Sequence, residues 1–301
     1  GLFQRAIEES GSVTFATEAP TLSRADQVGS DFAANLKAPQ QGQLKYLRSM
    51  SAQDLLAAVQ NAQRTPNAFH ADVNIDGYVF PTSPAAVFAQ GREAAIPLIV
   101  GNNSTEFDFP ASADELRQRI GEIYKLLAPR ALQAYGLSNG GQGTTDPVYG
   151  TVANQWSADL IFRCPATAVA AWHSAAHHPT YEYQFEHAIP GQEKQGAVHS
   201  ADLPYVFGFY PETGNISGPF GPTDFKIADN IEKYWTNFAR TGNPNGDGVA
   251  DWPEFDGTQS YIAITEAGNV VPQTKLRDAQ CSIFRQAINF RLARGSNSQQ
   301  Q

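Results

Sequence analysis

Apolar residues recur at helical spacing in several stretches of the chain. Two of these stretches begin with a capping pattern, Ser51 with Asp54 and Ser112 with Glu115. The opening residues GLFQRAIEES show the same spacing without a capping residue before them, which predicts a helix already under way at residue 1. The other helices are predicted over roughly 51–63, from 112 onward, over 147–176 with a break near Cys164-Pro165, from 224 to a stop at Gly242, and over 274–293.

Shorter apolar runs between these stretches predict strands. The run 96–100 is apolar on both faces and leads into a loop at Gly101, which is typical of a buried parallel strand. Residues 181–185 alternate between aromatic and polar, which predicts a strand with one face on the core, and 260–264 predicts a last strand. Short strands that alternate with helices indicate an α/β fold, in which chemistry is placed at the carboxyl ends of the strands.

Composition narrows the function classes. The 301 residues, 42% of them hydrophobic and 17% charged, suffice for a large core in one domain or two. No linker composition marks a boundary within residues 1–294, and the polar residues 295–301 predict a disordered tail. The net charge of −9 argues against nucleic acid or an anionic membrane as the main partner, and no apolar run approaches the roughly 18 residues of a membrane span.

The start of the sequence is informative as well. The first residue is Gly1 and the single Met is Met50, so residue 1 is not a translation start. Together with the uncapped opening helix, this favours a fragment of a longer chain over a cleaved product.

Two loops that follow predicted strands carry the candidate chemistry. Glu106 lies in the loop 101–109, and His199 lies in the loop 196–203. A serine hydrolase needs a base that takes the hydroxyl proton and an acid that orients the base, in the chain order nucleophile, acid, histidine. Glu106 and His199 occur in that order, although spacing alone favours a carboxylate and a histidine that are simply solvated or locally hydrogen-bonded.

Six motifs spread along the chain favour the catalytic interpretation of Glu106 and His199. They are GLFQRAIEESGS at the start, DGYVFP at 76–81, the acid loop at 101–109, GAVHSADLPYVFG at 196–208, WTNFARTGNPNG at 235–246 and DWPEF at 251–255. In this order, and over about residues 1–290, they resemble the type B carboxylesterase family, which includes cholinesterases and para-nitrobenzyl esterases. The resemblance implies an α/β-hydrolase fold, here the C-terminal portion of a mostly parallel sheet with helices on both faces.

The resemblance also implies residue roles. Glu106 matches the triad acid, His199 the triad base, and Ser10 a second serine whose hydroxyl supports the acid; a plain turn serine remains the alternative for Ser10. The family usually has Gly after the acid where this chain has Phe107, and this difference is expected to change the backbone path of the acid loop while leaving the carboxylate in place.

The nucleophile is expected outside residues 1–301. The family's G-x-S-x-G elbow is expected to lie wholly outside residues 1–301, because Gly11-Ser12, Gly29-Ser30 and Gly295-Ser296 lack its flanks. The Gly-rich oxyanion segment that precedes the elbow in the family is not found either. The resemblance therefore implies a carboxylic ester hydrolase whose serine lies upstream of Gly1, while these residues alone are expected to be inactive. A non-catalytic adhesion module of the same fold and an inactive truncated product are the alternatives.

The two cysteines, Cys164 and Cys281, are either buried thiols or a disulfide, and the resemblance to cholinesterases implies the disulfide. A disulfide predicts a secreted or periplasmic protein, and free thiols predict a cytoplasmic one. The spacing of the two cysteines does not suit zinc.

No metal or cofactor is expected, and the expected partner is a small-molecule ester; the oligomeric state stays open. Three histidines, His173, His177 and His178, are interpreted as surface residues because no cysteine or carboxylate stands beside them in the sequence. Residues 243–248 suit a turn better than a calcium loop. Four aromatic residues after the His loop either wall the substrate pocket or fill the core: Phe207, Phe209, Tyr210 and Phe220.

Overall fold

A computed structural model of the chain describes residues 1–11, 20–62 and 73–298. The strands are β1 (Ala6–Glu9), β2 (Leu98–Asn103), β3 (Thr180–Phe185), β4 (Ser260–Ile264) and β5 (Val270–Thr274). The helices are α1 (Leu22–Asn35), α2 (Gln43–Ser49), α3 (Ala52–Ala62), α4 (Pro84–Ala89), α5 (Ala113–Tyr124), α6 (Ala128–Ala134), α7 (Val152–Ala158), α8 (Cys164–Ala175), α9 (Leu203–Phe207), α10 (Pro222–Thr241) and α11 (Asp278–Ser298).

The chain forms two compact units, one of residues 17–84 and one of residues 1–16 with 85–301. The smaller unit contains α1 to α3 and a parallel bridge between Thr21 and Ile75. In its DGYVFP motif, the Asp76 carboxylate accepts the backbone N–H groups of Tyr78 and Phe80 at 2.9 Å each, so the aspartate closes a turn.

The larger unit contains one five-stranded sheet in the order β1-β2-β3-β4-β5. Strands β1 to β4 are parallel, and β5 pairs antiparallel with β4 at the edge. The register places Glu9 opposite Gly101 and Asn103 opposite Phe185, so the carboxyl ends of β1, β2 and β3 share one edge of the sheet. Gly101 is required there, because a Cβ at this position would lie 2.2 Å from the Tyr183 ring.

Helices cover both faces of this sheet, and alternate residues of β2 show the two sides. Ile99 packs in the cluster that contains Ile231 and Trp235 of α10, whereas Leu98 and Val100 pack with Val169 of α8. The predicted α/β-hydrolase architecture, a mostly parallel sheet with helices on both faces, is therefore confirmed.

In the larger unit one predicted element is wrong, and a second, strand β3, is present but more buried than predicted. The opening residues do not form a helix: residues 6–9 form β1 and pair with β2, because backbone pairing with a buried strand outweighs a weak helical pattern. Strand β3 is buried on both faces, so its polar residues lie in the interior. Glu182 Oε1 accepts from Thr167 at 2.7 Å and Gln184 Oε1 accepts from Arg163 at 2.9 Å, so each side chain has a hydrogen-bond partner in the interior.

The predicted helix over 147–176 begins later and is not broken. A side-chain cap from Thr151 starts α7, and a π-helical turn over Asp159–Arg163 joins α7 to α8. The wider turn, in which the Cys164 N–H bonds to the Asp159 carbonyl, carries the helix through Cys164-Pro165. Strand β5 was not predicted, and α11 reaches Ser298, inside the stretch predicted as a tail; residues 63 and 299–301 lie outside the described residues.

The structure contains the disulfide between Cys164 and Cys281, which joins the start of α8 to α11. Both cysteines are buried in the cluster that also includes Trp156 and Phe284. Within the described residues, no helix combines the length and the apolarity needed to cross a bilayer.

Candidate active site

The three residues predicted from motifs meet at the carboxyl edge of the sheet. Ser10 directly follows β1, Glu106 follows β2, and His199 lies in the loop after β3. Because these strands are parallel neighbours, their carboxyl ends bring the three side chains together, although 96 residues separate Ser10 from Glu106 and 93 separate Glu106 from His199.

The Glu106 carboxylate is shared among three donors. Its Oε2 lies 2.7 Å from His199 Nδ1, and its Oε1 accepts from the Ser10 hydroxyl at 2.6 Å and from the Asn103 N–H at 2.8 Å. Glu106 is 1% exposed, whereas the His199 side chain is 34% exposed. The Nε2 of His199 hydrogen-bonds to none of the described residues, so it is the nitrogen that can exchange a proton with a bound molecule.

The electrostatic setting of His199 favours its charged form. The hydrogen bond to Glu106 raises the pKa of His199 most, partial burial opposes the rise, and the charges of Glu106 and Asp202 add to it. An imidazolium formed when His199 takes up a proton is therefore stabilised by a fixed carboxylate.

Backbone bonds hold the His loop against the acid loop. The N–H groups of Thr105 and Glu106 donate to the Ala197 carbonyl at 3.0 and 3.1 Å, and the His199 N–H donates to the Glu106 carbonyl at 2.9 Å. Gly196 permits this approach, because a Cβ there would lie 2.2 Å from Thr105 Oγ1. Glu106 itself has a φ of 60°, a conformation that costs a non-glycine residue about 1–3 kcal/mol and that the surrounding bonds maintain.

A family model described as the carboxylesterase family matches residues 1–284. The chain belongs to the carboxylesterase family. Among curated relatives, it is 28% identical to liver carboxylesterase of Sus scrofa, over 87% of this chain and 51% of that protein. It is 29% identical to the medium-chain fatty acyl-CoA hydrolase precursor of Anas platyrhynchos, over 88% of this chain and 50% of that protein. The chain spans about half the length of these curated relatives.

A solved structure gives the same family. A PNB esterase matches with a TM-score of 0.72 at 25% sequence identity, over 94% of this chain and 58% of that one.

One buried arginine of this carboxylesterase chain supports the acid loop and was missed in the sequence. Arg163, fully buried in the π-helical turn, donates to the Ser104 carbonyl, to Asp159 and to Gln184. Asp159 also accepts from Arg277 at 2.8 Å, so one buried carboxylate pairs with two guanidinium groups. A charged residue inside the apolar stretch LIFRCP was the available signal.

Asp202 supports the other side of the site. It is 3% exposed and accepts from Asn103 Nδ2 at 3.2 Å and from the Tyr183 hydroxyl at 3.3 Å. Burial raises the pKa of Asp202 to about 6, with the Glu9 charge the next cause. Since the Asn103 N–H also binds Glu106, Asp202 helps to fix a residue that holds the predicted triad acid.

Aromatic rings surround His199. The ring centroids of Phe107 and Phe162 lie 4.5 and 5.1 Å from that of His199, and Phe107 is 47% exposed. The residue that replaces the family's glycine therefore covers the imidazole and leaves the carboxylate in contact with it. Of the four aromatic residues after the His loop, Tyr210 and Phe220 pack against the core, and Phe207 and Phe209 are exposed.

The letters G-x-S-x-G do occur within the chain, at Gly136-Leu137-Ser138-Asn139-Gly140. This corrects the expectation that the pattern lies wholly outside residues 1–301. Ser138–Gly140 form a 3-10 turn that follows α6, whereas a nucleophile elbow connects a strand to a helix. Ser138 therefore lacks the setting of a nucleophile.

The interpretation of the three histidines as surface residues is wrong for two of them. His173 is buried at 2% exposure and the His178 side chain is 15% exposed; His177 is exposed. A carboxylate does stand beside them, because Glu93 joins His173 and His178 in a group that can hold a metal ion.

Proposed function

We propose that the protein hydrolyses carboxylic esters by acyl transfer through a Ser-His-Glu triad. In this proposal Glu106 and His199 belong to this chain, and the serine and the oxyanion donors come from residues outside it. The observation that carries the proposal is the 2.7 Å contact between buried Glu106 and His199 Nδ1, which leaves Nε2 without a protein partner among the described residues. Membership in the carboxylesterase family supports the reaction class.

The proposed reaction has two steps. The serine hydroxyl attacks the ester carbonyl while His199 Nε2 takes its proton, and the same nitrogen then protonates the departing alcohol. Water then attacks the acyl-enzyme and gives a proton to His199. His199 passes this proton to the serine oxygen as the bond between that oxygen and the acyl carbon breaks and the carboxylic acid leaves. Glu106 stays ionised throughout, accepts the hydrogen bond from the Nδ1–H group of His199 and stabilises the imidazolium.

Ser10 has a positioning role in this proposal. Its hydroxyl and the Asn103 N–H occupy Oε1 of Glu106, so Oε2 remains directed at His199. A carboxylate held by three donors cannot turn away from the imidazole without breaking charge-assisted hydrogen bonds.

Further proposals follow for the protein as a whole. Residues 1–294 are assigned to the C-terminal part of a carboxylesterase domain, with a small-molecule carboxylic ester as the substrate. The disulfide supports secretion or export to the periplasm, where such bonds persist.

The test uses the full-length protein and a chromogenic short-chain ester. The variant His199→Ala is expected to lose at least about 10⁴-fold in kcat, because the residual rate comes from substrate binding and the oxyanion hole alone. The matched control is His177→Asn, an exposed histidine with a φ of 63° that asparagine tolerates, and it is expected to retain the wild-type rate.

Two outcomes contradict the proposal. Turnover in the His199→Ala variant at the wild-type rate would remove His199 from the mechanism. A folded wild-type protein that neither turns over a panel of esters nor reacts with a fluorophosphonate probe would instead indicate the non-catalytic adhesion module.

A further inference from the structure

The turn that ends helix α8 brings the side chain of His178 back into contact with that of His173. The N–H of His177 bonds to the Ser174 carbonyl at 2.9 Å and that of His178 bonds to the His173 carbonyl at 3.2 Å, the pair of bonds that defines a Schellman motif. His177 occupies the left-handed position usually taken by glycine, with a φ of 63°. This reversal places the His178 ring edge-on to the His173 ring, with centroids 4.6 Å apart.

Glu93, from the segment between α4 and β2, completes a triangle of ligand atoms. Its Oε1 lies 2.9 Å from His173 Nδ1 and 3.4 Å from His178 Nδ1, and the two Nδ1 atoms are 3.3 Å apart. A tetrahedral zinc ion with ligand bonds of about 2.0–2.1 Å requires ligand atoms about 3.3 Å apart. The triangle therefore has nearly the size of one face of a zinc tetrahedron.

A hydrogen bond outside the triangle determines which ring nitrogen of His173 carries the proton. His173 Nε2 lies 2.8 Å from the Ile96 carbonyl, which only accepts, so Nε2 carries a proton and the neutral ring keeps a lone pair on Nδ1. That lone pair faces the Glu93 carboxylate. A backbone carbonyl on the far nitrogen is the arrangement that orients metal-binding histidines.

Glu93 also has a carboxylate oxygen that is available to a further ligand at this site. Its side chain is 6% exposed, and its Oε2 is buried without a hydrogen-bond partner among the described residues. A buried carboxylate oxygen without a donor is costly, and a cation beside the triangle would satisfy it.

We propose that Glu93, His173 and His178 bind a divalent transition-metal ion, with zinc as the favoured ion. Two imidazole nitrogens favour zinc over calcium or magnesium, which prefer oxygen ligands. Glu93 Oε2 or a water molecule supplies the fourth ligand. Glu93 and His178 precede β2 and β3, at the end of the strands opposite Glu106 and His199. The ion therefore ties the segment before β2 to the turn after α8 and takes no part in ester hydrolysis.

The test measures zinc on the full-length protein purified without a histidine tag. We expect mass spectrometry of the dialysed protein to find about one zinc per chain, and cobalt substitution to give the visible absorption of a tetrahedral ion. In competition with a chromogenic chelator, Glu93→Gln and His178→Ala are each expected to weaken zinc affinity by more than about 100-fold, beyond the loss typical of residues outside the ligand set. His177→Asn is the control and should bind zinc as the wild type does.

The alternative is a protonated imidazolium against the carboxylate, and it predicts different results. In that case the wild type binds no zinc above the level of a tag-free control protein, and Glu93→Gln lowers the melting temperature equally with zinc and with EDTA. Either result overturns the proposal, as does equal zinc affinity in all three variants. The more exposed His178 serves as the second variant in case Glu93→Gln does not fold, and far-UV circular dichroism reports on folding.

Discussion

Arg163 donates a hydrogen bond to the backbone carbonyl of Ser104, and through this bond a helix of the larger unit supports the acid loop. The guanidinium group is fully buried and shares Asp159 with Arg277. The loop that carries Glu106 is thus held by the buried Arg163, which is paired with Asp159, and by the backbone bonds to the His loop. The strained φ of Glu106 persists because both supports are present.

Replacing Arg163 with methionine tests this support. The substitution keeps volume but leaves the Asp159 carboxylate with one cationic partner and the Ser104 carbonyl without its donor, so we expect a loss of about 3–5 kcal/mol in the free energy of unfolding. Urea denaturation measures it. The exposed Arg130, changed to methionine, is the control and should stay within about 0.5 kcal/mol of the wild type. Equal stability of the two variants would contradict a structural role for Arg163.

The pH dependence of the proposed ester hydrolysis follows from the raised pKa of His199. The base must be neutral to accept a proton, so kcat/KM is expected to rise with pH through a midpoint above the ordinary pKa of histidine. Glu106→Gln removes the largest cause of the raised pKa, and the midpoint should move to lower pH while the plateau falls by about 10⁴-fold. A midpoint that moves to higher pH in this variant would rule out the assigned contact.

Ser10→Ala should act in the opposite direction. Without the hydroxyl, the Glu106 carboxylate keeps more charge for His199, so the midpoint should move to higher pH. The loss of one hydrogen bond to a charged group predicts a roughly tenfold or larger fall in kcat/KM. A fall caused by misfolding alone would leave the midpoint unmoved and would appear as a lowered fraction of active sites in probe titration.

The site was predictable where its signals were local in sequence. Glu106 and His199 each lie within a short motif beside a strand with a clear apolar pattern. Parallel neighbouring strands place such loops at the same edge of the sheet, so the proximity of the two side chains could be predicted. Strand β1 has only four residues, and its pairing with β2 decides its conformation. Strand β5 is exposed at the sheet edge and has no apolar pattern to reveal it. The contact of Glu93 with His173 spans 80 residues without a motif at either end.

Reduction of the disulfide should lower stability strongly. Cys164 and Cys281 are 117 residues apart, and the chain-entropy model assigns a crosslink of that length about 4–5 kcal/mol. Both cysteines are buried, so reduction requires denaturant before refolding in dithiothreitol. The double variant Cys164→Ala/Cys281→Ala is the control, because its stability should be low and unaffected by the reductant. A wild-type protein equally indifferent to reduction would contradict a stabilising disulfide.

Asp202 makes the folded protein less stable as the pH rises. Its folded-state pKa, about 6, lies above the ordinary 3.8, so the folded protein holds this proton more tightly than the unfolded chain does. The resulting stabilisation is complete below pH 4 and is lost as the pH rises through 6. Asp202→Asn keeps an oxygen that can accept from Asn103 and removes the buried charge. We therefore expect the free energy of unfolding of the variant, relative to that of the wild type, to be up to about 3 kcal/mol higher at pH 8 than at pH 4. This figure takes about 1.36 kcal/mol per pKa unit.

The comparison of these two pH values separates the charge from the packing. A change in packing would shift the free energy of unfolding of Asp202→Asn equally at pH 4 and pH 8, whereas the charge effect appears only at the higher pH. The exposed Asp114, changed to asparagine, is the control and should show a much smaller difference, since its side chain is 90% exposed and its ion pair with Arg117 lies at the surface. If Asp202→Asn is more stable at pH 8 yet turns over esters more slowly, Asp202 is retained for the orientation of Asn103 and Glu106 at the expense of stability.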